Sequence, residues 1–98
     1  MKKNINEKIE AAAFRRLLKH FKENPDIQNI DLMELAGFCR NCISKWYLEE
    51  AKQNGIELNY DEAKEIVYSM PYKDWKENHQ KEQSKERINK LSDKFHNH

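Results

Sequence analysis

Apolar residues recur along most of this chain at three- and four-residue spacing, the period of helices lying on a core. In the first such stretch Ala13, Phe14, Leu17 and Phe21 share one broad face, with Ile9 and Leu18 at its edges and Arg15, Lys19 and Lys22 turned away. Ala11-Ala12-Ala13 favours helix, and Pro25 pushes its preceding residue out of the helical region, so a helix is predicted over about residues 4–24. Glu10 falls inside the apolar face, where a carboxylate needs solvent or a partner such as Arg40. Arg16 and His20 lie one turn apart at its border.

After a short connection, where Asn29 or Asp31 can cap and Asp31/Glu34 have capping-box spacing, a second helix is predicted over about residues 32–54. Its stripe is Leu32, Leu35, Ala36, Cys39, Cys42, Ile43 and Trp46, with Asn41, Ser44, Lys45 and Lys52 opposite. Gly37 is the place for a kink or restart, and Gly55 for the stop. Asn59 and Glu62 announce a third helix over about residues 60–70, carrying Ala63, Ile66, Val67 and Met70. Pro71 ends it and opens a fourth, which presents Tyr72, Trp75 and His79. Residues 76–87 contain nothing apolar and read as a solvated helix or spacer; Ile88, Leu91 and Phe95 then resume a helical stripe. The expected architecture is all-α, an irregular array of about four to five helices. Residues 1–80 form the helical domain, and residues 81–98 form a charged C-terminal extension, helical or partly disordered.

Composition reinforces this picture. The 98 residues include only 2 Gly and 2 Pro, too few turn formers for an all-β domain. A hydrophobic share of 38% beside 36% charged residues suits a small core with solvated faces, one that dimerisation would complete. The net charge of +1 lacks the basic excess of a nucleic-acid binder. No apolar run is long enough to span a membrane, and no apolar segment follows the basic start as in a signal peptide. The expected compartment is therefore the reducing cytoplasm, with both cysteines as thiols.

A resemblance adds to this reading. The runs Glu10-Ala11-Ala12-Ala13-Phe14-Arg15-Arg16-Leu17, Gln28-Asn29-Ile30-Asp31-Leu32-Met33 and Ala36-Gly37-Phe38-Cys39-Arg40-Asn41-Cys42 form its first part. Trp46-Tyr47, Glu65-Ile66-Val67-Tyr68, Met70-Pro71-Tyr72 and Trp75-Lys76 complete it. Together they resemble a family of short bacterial proteins known as domain of unknown function 1244, over roughly residues 10–80. The resemblance implies an irregular all-helical array and carries over no activity, cofactor or functional residue. Residues past Gln80 read as an extension beyond the family pattern.

Candidate chemistry gathers at Cys39-Arg40-Asn41-Cys42. The cysteines have three readings. They are inert apolar residues within the stripe, or two corners of a zinc or iron site completed by His20, Glu10 or a second chain. In the third reading they are a redox dithiol, which requires Gly37 to break the helix and bring Cys39 to a helix start. No cofactor is expected on the first reading. Arg40 with Asn41, together with Arg16 and Glu10, is the candidate binding set, since a guanidinium clamps carboxylates and other anions. No nucleophile elbow, phosphate loop or paired-histidine motif occurs, so no catalytic constellation is recognised. The expectation is a helical interaction module, homodimeric, with Arg40 fixing register and metal or thiol-redox chemistry as the alternative.

Overall fold

A computed structural model describes residues 3–94. They form six helices: α1 (Lys3–Glu23), α2 (Asn29–Ala36), α3 (Arg40–Gln53), α4 (Tyr60–Tyr68), α5 (Tyr72–Asn78) and α6 (Lys85–Lys94). No strand forms among the described residues. The count exceeds the expected four to five for two reasons. The second helix is split, and the segment after the polar stretch folds. Phe95, His96 and His98 lie outside the described residues.

Several boundaries arise as the sequence suggests. Asn24 closes α1, its backbone and side-chain N–H groups both donating to the His20 carbonyl at 3.0 and 2.9 Å. Gly55 takes a left-handed φ of 72° after α3. A reciprocal capping box starts α4: the Glu62 amide donates to Asn59 Oδ1 at 2.8 Å and the Asn59 amide to Glu62 Oε1 at 3.2 Å. The start of α2 differs. Gln28 stands at its N-cap without a side-chain cap bond, while Asn29, Asp31 and Glu34 serve other partners.

The single helix expected over residues 32–54 is two. Gly37 closes α2 in the left-handed region (φ 78°), its amide donating to Met33 O at 3.0 Å, and Cys39 is extended before α3 begins. This interruption resets the helical phase, so the predicted stripe survives in part: Leu32, Cys39, Cys42 and Ile43 pack in the core, and the other three residues do not. Leu35 is 89% exposed, Trp46 is half-exposed, and the face α3 buries is Arg40, Ile43 and Ser44 together with Cys42. Ser44, placed opposite the stripe by the continuous wheel, is buried and donates to the Arg40 carbonyl at 2.8 Å.

The core has two adjoining parts. Phe21, Ile43, Val67, Tyr68 and Trp75 form the larger, with Phe14 and Leu18 of α1 packed against it. Met33, Cys39 and Cys42 form the smaller, flanked by Leu32, Phe38 and Leu91. Leu91 thus brings α6 back onto α2, and the C-terminal apolar stripe is partly spent within the chain. The outline is elongated at 48 × 27 × 27 Å. Its radius of gyration is 15.0 Å, against about 12.6 Å for a compact chain of this length. Only the C-terminal half of α1 docks through Phe14, Leu18 and Phe21; Ile5, Ile9, Ala13 and Leu17 remain exposed.

Candidate functional site

Arg40 opens α3 and is 1% exposed. Its guanidinium lies between the Phe21 and Trp75 rings, 4.9 and 5.0 Å from their centroids. It donates to Ile27 O (2.6 Å), Asn29 Oδ1 (3.0 Å) and Asn24 O (3.2 Å). Among the described residues no carboxylate forms a salt bridge with it, and burial draws its pKa down from the ordinary arginine value. Carbonyl oxygens and ring faces take the place of a counterion, which keeps a buried cation tolerable. The same residues hold the α1–α2 connection. Trp75 Nε1 donates to Pro25 O at 2.9 Å, and Gln28 Nε2 donates to Asp26 O at 2.9 Å and to His79 O at 2.8 Å. Four successive carbonyls, from Asn24 to Ile27, therefore each receive a side-chain N–H.

Asn41, expected on the open side of the helix, is drawn into this network. Tyr68 donates its phenol proton to Asn41 Oδ1 at 2.6 Å and accepts from Asn29 Nδ2 at 3.0 Å. Burial raises the Tyr68 pKa, so the phenol stays protonated and remains a donor. Arg40, Asn29, Tyr68 and Asn41 form one continuous polar path through the core.

Beside this path sit the sulfurs. Cys39 Sγ and Cys42 Sγ are 3.9 Å apart, and Cys42 Sγ is 3.9 Å from Met33 Sδ; all three residues are buried, and both cysteines are thiols. Gly37 does break the helix, so Cys39 occupies the N-cap of α3 and Cys42 its first turn. Burial nevertheless pushes the Cys39 thiol up, outweighing the backbone amides of Cys42 and Asn41 that favour the thiolate.

The remaining sequence candidates are elsewhere. Glu10 and Arg16 are exposed on α1, and the partly buried Glu10–Arg40 pair does not form, because the N-terminal half of α1 overhangs the body. His20 is exposed near the end of α1, its ring tilted against Phe21. Among the described residues no group of three or more His, Cys, Asp and Glu gathers, so neither His20 nor Glu10 joins the cysteines. Sequence reasoning missed Met33, Gln28 and Asn29. The run Gln28-Asn29-Ile30-Asp31 carried a signal, two amide side chains beside a proline-led turn, but its partners lie far along the chain.

A clasp secures α6 over this region. Arg87 bridges Asp31 at 2.6 Å and Glu34 at 2.5 Å, on the helix that carries Met33. The bonds to Glu34 and Asp31 raise the Arg87 pKa, and Arg87 holds the Glu34 carboxyl below its ordinary value.

Fold and site together define a small all-helical protein organised on a buried, carboxylate-free arginine with a dithiol at the start of its central helix. The chain belongs to the family described as protein of unknown function (DUF1244), whose sequence profile matches residues 27–93. The match starts after α1 and runs through most of α6, further toward the C-terminus than the motif runs suggest. No curated protein shows significant similarity to the chain. No described helix is long and apolar enough to cross a membrane.

Proposed function

We propose that the protein is a homodimeric interaction module whose self-association surface is the overhanging half of α1. The observation that carries this reading is the ridge Ile5, Ile9, Ala13 and Leu17, spaced by four residues, with the three larger side chains 46%, 52% and 37% exposed. Ridges of this spacing pack into the grooves of a second helix, and a contiguous apolar strip on an otherwise polar helix marks an association site. A second copy is the fitting occupant. A twofold axis near Ala11 sets Ile9 of each chain against Ala13 of the other, a large residue on a small one, and Ile5 against Leu17. Each of these contacts then occurs twice, as an isologous interface requires. The elongated outline, 48 Å on its long axis, leaves that surface accessible.

Arg40, first considered as the residue fixing register between chains, is committed inside the chain, so the large-on-small pairing of Ile9 with Ala13 takes that role. The test is sedimentation equilibrium of the full chain and of Ile9→Glu. A concentration-dependent dimer is expected for the native chain and a monomer with an unchanged helical spectrum for the variant. A monomer at all concentrations in the native chain, or a dimer indifferent to Ile9→Glu, refutes the proposal.

A further inference from the structure

We infer that Met33, Cys39 and Cys42 form a three-sulfur site for a single soft monovalent metal ion, Cu(I). Its geometry and donor chemistry agree on this. The two sulfur–sulfur edges Cys39–Cys42 and Cys42–Met33 are both 3.9 Å. Two sulfurs bound at about 2.3 Å to one ion in a trigonal plane stand about 4.0 Å apart, so these edges already match an occupied site. Sulfurs in ordinary contact share this spacing, so the distances show that the ion needs little rearrangement, and the donor set carries the choice of ion.

The donor set selects the ion. Thiolate and thioether are soft ligands, and that pairing selects Cu(I). Zn(II) takes four ligands from Cys, His, Asp and Glu, and a methionine thioether is not one of its usual partners. Among the described residues no third His, Cys, Asp or Glu joins the cysteine pair. The sulfur that does join it is Met33, which the helix break makes possible: Gly37 ends α2, and the turn to Cys39 folds α3 back so that its first turn meets the α2 side chain.

Binding converts two thiols and one Cu(I) ion into a complex of net charge −1, with two protons released to solvent. The surroundings suit that charge. The site stands at the N-terminus of the 14-residue α3, where backbone amides point outward. Arg40, next to Cys39 in the chain, brings a buried cation to the same helix start. Leu32, Phe38 and Leu91 enclose the sulfurs and keep water from the ion. Leu91 belongs to α6, which the Arg87 clasp ties to α2.

The test is anaerobic titration of the reduced full-length chain with Cu(I), supplied as its acetonitrile complex, against a chromophoric Cu(I) chelator, with X-ray absorption on the loaded protein. One equivalent per chain, resistant to excess Zn(II), with a shell of three sulfurs, is expected. Met33→Leu conserves volume and fold. It is expected to melt like the native apo-protein yet hold Cu(I) at least about tenfold more weakly, since even outer-shell changes cost that much. Cys42→Ser abolishes binding. The inference is overturned by failure to retain Cu(I), by Met33→Leu binding as tightly as the native chain, or by displacement by Zn(II). A nitrogen-rich shell, which traces the ion to histidines, overturns it equally, as does half an equivalent per chain shared between two copies.

Discussion

Replacing Arg40 by methionine isolates what its charge contributes, because methionine keeps the length and apolar character of the stem. The native guanidinium makes three hydrogen bonds, to Ile27 O, Asn29 Oδ1 and Asn24 O, and lies over two rings. Bonds from a charged donor contribute about 1.5–3 kcal/mol each, and each ring face about 0.5–1 kcal/mol, a gross sum of roughly 6–11 kcal/mol. Removing the cation from the interior returns several kcal/mol of desolvation, so the net loss is about 3 kcal/mol, the scale set by buried oxygens left without a donor at about 1–3 kcal/mol each. At about 4–8 °C per kcal/mol for a domain of this size, the melting temperature falls by roughly 12–24 °C. Thermal unfolding followed by far-ultraviolet circular dichroism measures this directly. Arg40→Lys retains a charge without the planar fork and falls between the two. If Arg40→Met melts within about 3 °C of the native chain, on the same scale, the guanidinium is only a filler and the hub described above is wrong.

Two further outcomes follow from the α2 region. Gly37→Ala forces a side chain into a left-handed residue (φ 78°) and is expected to cost about 1–2 kcal/mol in denaturant unfolding; a neutral result would show that the α2–α3 turn relaxes freely. The Arg87 hydrogen bond lowers the Glu34 pKa in the folded state, so the associated stability is present above the unfolded value of about 4.3 and is lost as pH falls through the lower folded value. The protection factors of the Ile88 and Leu91 amides, exchange rates corrected for the intrinsic pH dependence, are therefore expected to fall only in acid. In Glu34→Gln they are expected to be lower at neutral pH and nearly flat across the carboxylate range.

Much of the local structure could be read from residue order, because its causes are local. Pro25 bounds α1, Asn59 and Glu62 box the start of α4, and Gly55 follows α3 as a left-handed stop. Gly37 was legible as a weak point, yet whether it kinks or terminates a helix depends on partners distant in sequence. Phe38 packs with both core clusters and Cys42 lies against Met33, and these contacts favour the full break. The fate of Arg40 was hidden for the same reason. A lone arginine on a helix reads as a surface group, and its acceptors are backbone carbonyls, which leave no trace in side-chain pattern. Leu35 and Trp46 were misplaced as a direct result, since a wheel continued across the break assigns the wrong face. Glu10 failed differently: its angular position matched the core side of α1, but the body ends before reaching it.

The grip on residues 24–27 has a consequence for how substitutions are tolerated. Each of these four residues offers its carbonyl oxygen, a group every amino acid possesses, and the donors come from Gln28, Arg40 and Trp75. The segment behaves like an edge strand whose partner is assembled from side chains instead of backbone. The grip on the backbone is therefore indifferent to the side chains of the segment, and the information that shapes its path is stored at three positions spread from α2 to α5. Substitutions as far away as Trp75 would release a turn whose own residues had not changed.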